Sequence, residues 1–304
     1  MMASKDFLDK LIQTCPDGII GIDRKGMVII YNAAAQKLTG RTAEEVIGNM
    51  SIQAVYDAPE MAREIKKEIY GEGCGGPGRV EGLEVTVKDA GGKRIPIRLS
   101  AALILEGDME IGSVGFFHDM TAQKEMEEEL RRSSITDSLT GLYNRRHFHT
   151  TLTEEMARTT RYDGPLSLAV FDLDHFKPFN DTYGHQEGDA ILRLVAQCLG
   201  SVFRSTDHIF RLGGDEFGVL LIETELESAG QVMDRFMAYF AQKWPQKMAY
   251  LGRRLQPVTM SIGVSQLAAH ESADKFQLRA DLAMYEAKNG GGNRVVLASE
   301  QIGV

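Results

Sequence analysis

Phe210-Arg211-Leu212-Gly213-Gly214-Asp215-Glu216-Phe217-Gly218-Val219-Leu220-Leu221 sets two apolar, strand-like runs on either side of a Gly-Gly pair, with two carboxylates directly after it. The pattern predicts a β-hairpin whose tight turn needs φ > 0. Glycine at 213 and 214 allows that turn and, having no Cβ, lets a phosphate come close to the backbone. Asp215 and Glu216, neighbours at a strand start, are expected to point to opposite faces, one toward a metal and the other toward a substrate. An ordinary hairpin with two solvated acids has the same letters, so the flanks must decide.

Upstream, Leu166 to Leu173 is a continuous apolar run ending in acids, as expected for a buried central strand. Asn144 can cap a helix running to about Arg161. Further helices are expected from about Glu187 to Phe203, Leu226 to Lys243 and Ala273 to Lys288, with strands at Val258 to Val264 and Arg294 to Leu297. Strands and helices alternating around one sheet predict an α/β (α+β) fold with a ferredoxin-like core.

The first 120 residues read differently. Gly18 to Asp23 and Met27 to Tyr31 form a hairpin signature across Arg24-Lys25-Gly26. Thr42-Ala43-Glu44-Glu45 has capping-box spacing, and Pro59 to Tyr70 reads as a helix opened by proline. A Gly-rich loop from Gly71 to Gly78, with Cys74, reads as a flexible connection or a lid. Three strand-like runs follow, Val80 to Lys88, Arg94 to Leu105 and Met109 to Phe117. Residues 121–136 then have helix-favouring composition with neither Gly nor Pro. Ala122, Met126, Leu130 and Ser133 make a narrow apolar seam there, read as one half of a parallel helix pair. A single charged helix is the alternative.

Composition narrows the classes. At 304 residues the chain exceeds one typical domain, and 43% hydrophobic with 25% charged residues is ordinary for globular proteins. A net charge of −9 argues against a broad nucleic-acid footprint. Cys15, Cys74 and Cys198 are odd in number and far apart, suggesting neither a disulfide frame nor a zinc site. No run approaches a membrane span, and Asp6, Asp9 and Lys10 interrupt the N-terminal apolar pattern. A soluble cytoplasmic protein is expected.

The N-terminal order of two strands, short helices and a three-stranded meander resembles a PAS domain. Pro16-Asp17-Gly18-Ile19 with Asp23 and Gly26, Asn32-Ala33-Ala34 leading to Leu38-Thr39-Gly40, and His118-Asp119-Met120-Thr121 carry the likeness. It implies a five-stranded antiparallel sheet with short helices and leaves the ligand unknown. His118 can be considered as a haem ligand, although a lone histidine at a strand end is more often exposed or hydrogen-bonded. The second half resembles the GGDEF family of diguanylate cyclases, which join two GTP into cyclic di-GMP. Five motifs stand in the family's order over about 135 to 298: Asp137-Ser138-Leu139-Thr140-Gly141-Leu142-Tyr143-Asn144-Arg145-Arg146, Phe171 to Lys177, Asn180 to Asp189, Gly213 to Phe217, and Ser261 to Val264.

The resemblance implies a PAS sensor at 1–120, a helical linker at 121–136 and a cyclase domain with a cyclase-palm core at 137–304, working as a homodimer joined through PAS and linker. It implies Mg²⁺ or Mn²⁺ held by Asp172, Asp215, Glu216 and the Leu173 carbonyl, hard oxygen donors of the kind Mg²⁺ prefers. Glu216 either helps deprotonate the attacking 3′-hydroxyl or shares the metal. Lys177 suits the β/γ-phosphates, together with the backbone N–H groups of the stretch after Leu173, where His175 and Phe176 stand. Asn180 and Asp189 match the guanine-reading positions, and an aspartate accepts from both guanine N1–H and N2–H₂. Relatives making a mixed GMP–AMP product carry another residue where Asp189 stands. Arg204-Ser205-Thr206-Asp207 matches the family's product-binding Arg-x-x-Asp site for cyclic di-GMP, with Arg235 as its secondary arginine. Lys288 matches the first of two phosphate-facing cations, but Gly292 stands where the second belongs, which predicts weak GTP binding unless Arg294 swings in. A catalytically silent receptor for GTP or cyclic di-GMP is the alternative.

Overall fold

A computed structural model of the chain describes residues 2–56, 59–71, 78–162, 164–250 and 257–299. They form two compact units, Met1–Glu129 and Leu130–Val304. Most of the Gly71 to Gly78 loop, Cys74 included, lies outside the described residues. Among the described residues no helix is long and apolar enough to cross a membrane.

The first unit runs α1 (Met2–Thr14), β1 (Gly18–Asp23), β2 (Val28–Tyr31), α2 (Ala33–Thr39), α3 (Ala43–Val46), α4 (Pro59–Tyr70), β3 (Arg79–Lys88), β4 (Arg94–Glu106) and β5 (Met109–Asp119). Its five strands pair antiparallel in the order β2-β1-β5-β4-β3. Alternate residues of β4 (Ile95, Ile97, Leu99 and Ala101) are buried, as the period-2 pattern requires of a half-covered sheet. Thr42 and Glu45 form the expected capping box. Asn32, fully buried, does more than cap α2. Its Oδ1 accepts from Ala35 N and Ile19 N, and its Nδ2 donates to the carbonyls of Ile12 and Asp17, tying α1, β1 and α2 together. Helix α1 was not expected from the sequence. His118 Nδ1 lies 2.8 Å from Asp17 Oδ1, so that histidine is hydrogen-bonded.

Helix α5 (Thr121–Ile135) has no buried residue, and Met126 and Leu130 of the expected seam are exposed. The second unit continues β6 (Tyr143–Asn144), α6 (Arg145–Tyr162), β7 (Leu166–Asp174), α7 (Phe176–Tyr183), α8 (His185–Val202), β8 (His208–Gly213), β9 (Glu216–Ile222), α9 (Leu226–Tyr250), β10 (Thr259–Gln266), α10 (Ala273–Asn289) and β11 (Arg294–Leu297). Sheet order is β11-β10-β7-β9-β8-β6. The central four strands, β10-β7-β9-β8, are antiparallel and follow the 4-1-3-2 order of a ferredoxin-like β-α-β-β-α-β unit.

Strand parity sorts this unit's core into two layers. Ala169, Phe171 and Leu173 pack with α8 and α9 residues such as Val195 and Phe236. Leu168 and Val170 pack with Phe148 of α6 and Phe276 of α10. Asp172 therefore faces the α6–α10 side. A Cβ on Gly263 would overlap the Ala280 carbonyl and the Met284 amide, so α10 lies with its backbone directly on β10. That close approach carries the C-terminal end of α10 to the edge where β7 runs out.

Candidate active site

The decisive hairpin turns one residue later than its letters suggest. Gly213 still pairs with Glu216, and the two-residue turn is Gly214-Asp215, with Gly214 at φ +53°. Asp215 is thus a turn residue rather than a strand neighbour of Glu216. In the β7–β9 register Glu216 stands directly across from Asp172. Residues opposite one another in antiparallel strands share a face, with Cβ atoms about 4.5–5.5 Å apart. Asp172 and Glu216 consequently face the same side, and Asp215 adjoins them at the turn.

Asp172 feels the charges of the other two. Burial pushes the Asp172 carboxyl up to about 6, a hydrogen bond from Lys288 opposes the rise, and the charges of Asp215 and Glu216 add to it. Lys288 Nζ rests 3.0 Å from Asp172 Oδ2. Asp172, Leu173, His175, Lys288 and Gly292 line one cleft of about 370 Å³. The Leu173 side chain is buried in the core, which leaves its backbone to the cleft. Among the described residues no group of three or more His, Cys, Asp or Glu side chains is gathered as a metal cage. One or two carboxylates, a carbonyl and substrate phosphates are how Mg²⁺ is ordinarily held, so this donor set fits that ion.

Helix α7, unrecognised in the sequence, begins where β7 ends. His175 precedes it at φ +58° with no side-chain cap, which leaves the first-turn N–H groups without one. The Phe176 side chain belongs to the core, so it is only the backbone of that residue that a substrate can meet. Lys177 is exposed. At the corner of α7 and α8, Asn180 Oδ1 is buried with no partner among the described residues. It packs against Gly188, where a Cβ would overlap it. Asp189 follows, half-buried. Such an unpaired buried oxygen is costly unless something donates to it.

Several side chains at this edge escaped the sequence reading. Arg211 donates to Asp137 Oδ1 and Oδ2 at 3.0 and 3.1 Å and, through Nε and Nη2, to the Gly214 carbonyl at 3.0 and 2.6 Å. It fixes the hairpin turn against the Asp137–Thr140 turn. Burial acts to raise Asp137, but hydrogen bonds from Thr140 and Arg211 hold it below the ordinary range. Asp174 accepts from Thr259 Oγ1, Ser261 Oγ and Asn293 N, anchoring the glycine loop after α10. Asp281 of α10 is raised by burial and by the charge of Glu216, with Arg145 opposing. Asp281 and Lys288 are seven residues apart, two turns on one helix face, and that spacing was the available signal. At the position expected to carry a second cation, a Cβ on Gly292 would lie 3.0 Å from Asp174 Oδ2. Arg294 folds back there, its Nε 3.3 Å from the Gly292 carbonyl.

Arg204 and Asp207 do not form an ion pair. Asp207 Oδ2 accepts from the Arg204 amide at 3.0 Å, and the guanidinium is exposed, as is Arg235 on α9.

Comparison with known proteins settles the family. The model described as "Diguanylate cyclase, GGDEF domain" matches residues 134–294, and the PAS fold matches residues 6–120. The chain belongs to the GGDEF family of diguanylate cyclases. It is an enzyme of that class carrying a PAS fold ahead of its GGDEF domain. Diguanylate cyclase DgcM of Escherichia coli K12 is 32% identical over 289 residues, 95% of this chain and 67% of that protein. Diguanylate cyclase DgcP of Pseudomonas aeruginosa is 40% identical over 171 residues, 56% of this chain and 25% of that protein. Among solved structures, the coiled coil and GGDEF domain of DgcB from Caulobacter crescentus in complex with c-di-GMP aligns with a TM-score of 0.51 and 32% identity. That likeness covers 58% of this chain and 92% of that one.

Proposed function

We propose that the chain condenses two GTP into cyclic di-GMP and two pyrophosphates, each subunit binding one GTP and two subunits facing one another. The observation that carries this reading is the register pair of Asp172 and Glu216 beside the Asp215 turn. Asp172, Asp215, Glu216 and the Leu173 carbonyl would hold Mg²⁺ or Mn²⁺, which when bound neutralises phosphate charge and makes the 3′-hydroxyl easier to deprotonate.

The protein groups supply binding and orientation. First-turn amides of α7 at His175 and Phe176, with Lys177 and Lys288, meet the triphosphate. Gly213 and Gly214 leave the turn backbone open to a phosphate. Asn180 and Asp189 receive guanine, whose N1–H and N2–H₂ suit the unpaired Asn180 oxygen and the Asp189 carboxylate. Glu216 accepts the 3′-hydroxyl proton or shares the ion. Catalysis is then largely positioning and charge neutralisation. The exposed Arg204 and Arg235 guanidiniums, with Asp207, suit a product site that inhibits. The exposed Met126 and Leu130 on α5 suit a helix pair in a homodimer.

A silent receptor is favoured by one feature, Gly292 in the place of a phosphate-facing cation. Incubation with Mg²⁺ and GTP separates the readings: the cyclase reading expects pyrophosphate and cyclic product, lost in Asp215→Ala. GTP binding without any product would establish the receptor instead.

A further inference from the structure

The cleft at the end of β7 is poor in positive charge for a nucleotide triphosphate. Asp172 and Asp174 bring it two carboxylates, and among the described residues lining it Lys288 is the one lysine or arginine. Lys288 is itself paired with Asp172 at 3.0 Å. A triphosphate entering with a divalent ion therefore still calls for a further cation.

Arg294, the first residue of β11, is placed to supply it. Its guanidinium lies against the loop Gly290-Gly291-Gly292. A Cβ on Gly290 would come 2.9 Å from Nη1, and one on Gly291 would come 3.5 Å from Nη2. Nε donates to the Gly292 carbonyl at 3.3 Å. Gly291 and Gly292 also line the cleft, so the guanidinium rests at its mouth. Position 292 is ill suited to carry a cation of its own. Its φ is +72°, and a Cβ there would stand 3.0 Å from Asp174 Oδ2.

The carboxylate that anchors this loop does not hold the arginine. Asp174 already accepts from Thr259 Oγ1, Ser261 Oγ and Asn293 N, and Arg294 is in no ion pair among the described residues. The guanidinium has one long hydrogen bond to a neutral carbonyl to give up, and a phosphate offers it two charge-assisted ones.

Given GTP in this cleft, as proposed above, we infer that Arg294 is a substrate-binding residue. Its guanidinium turns from the Gly292 carbonyl onto the outer phosphates, and the three glycines keep the path clear of side chains.

Calorimetric titration of the full chain with 3′-deoxy-GTP and Mg²⁺ tests this, with GMP as the ligand that lacks the outer phosphates. Arg294→Gln removes the charge from an exposed side chain. It should weaken 3′-deoxy-GTP about tenfold or more and leave GMP within about twofold of the parent. Arg294→Lys, which keeps a charge without the fork, should recover part of the loss. An Arg294→Gln variant with native circular dichroism that binds 3′-deoxy-GTP as the parent does overturns the inference and leaves the GTP site standing. Equal weakening of 3′-deoxy-GTP and GMP overturns it too, because the arginine would then only shape the loop. A parent chain that binds no 3′-deoxy-GTP at millimolar concentration removes the site itself, and the role of Arg294 with it.

Discussion

Gly188→Ala probes the corner where guanine recognition is proposed. The added methyl would overlap Asn180 Oδ1 and lie 2.9 Å from its Cγ and 3.2 Å from Phe176 Cζ. Two relaxations are open. If Asn180 holds, α7 and α8 must separate, an overpacking cost of about 1–3 kcal/mol. For a unit of this size that lowers Tm by roughly 2–4 °C per kcal/mol, so about 6 °C in the middle of the range. If Asn180 turns away instead, the packing is spared but a hydrogen bond of about 1–1.5 kcal/mol to guanine is lost, which raises KM for GTP about tenfold. Trp244, the single tryptophan, is buried against Phe179 of α7 and reports the first outcome by fluorescence melting. Steady-state pyrophosphate release reports the second. Parental Tm together with parental KM would refute the packing argument and, with it, the placing of Asn180 in the guanine site.

Arg211→Ala should lower Tm by several degrees and kcat by about tenfold or more, since it strands Asp137 and frees the Gly214 carbonyl; Tm and kcat near the parent's would show that the turn holds itself. Asn32→Ala removes four hydrogen bonds inside the first unit and should cost that unit about 3 kcal/mol or more. Calorimetry should show its transition alone moving, and a shift of the GGDEF transition instead would be contrary. Asp172, titrating near 6, must lose its proton to hold a cation, so Mn²⁺ affinity measured with 3′-deoxy-GTP should fall as pH drops through 6. The slope should approach tenfold per pH unit below it, and a flat profile from pH 5 to 7.5 would remove Asp172 from the ion.

Periodicity and turn chemistry made most of both sheets legible. The run Leu166 to Leu173 and the Gly213-Gly214 hairpin gave β7, β8 and β9 almost to the residue. What was not legible has physical reasons. The turn slid onto Gly214-Asp215 because Gly213 stays in the ladder, and alternation alone cannot say which of two glycines leaves it. Helix α7 spans only eight residues and holds a proline, too short for a periodic signal. Helix α1 has in its sequence neither a capping box nor a glycine directly after Thr14 to mark it. Asp281 and Asp174 matter through neighbours distant in sequence, which appear only when α10 settles on Gly263 and β10 beside β7, and Arg211 meets Asp137 only once β6 pairs with β8. Lys288, expected at the phosphates, is also paired with the Asp172 carboxylate at 3.0 Å, a partner on β7 that spacing could not announce.

The central claim is that Asp172 and Glu216, on adjacent strands and one face, serve a single reaction centre. Cyclic di-GMP formation by Asp172→Asn, Glu216→Gln and the double variant measures this most directly. Each single change is predicted to lower kcat by about a thousandfold or more, and the pair to be scarcely worse than either alone, as for residues acting as one unit. Losses that multiply in the double variant, or a single variant with near-parental turnover, would contradict it.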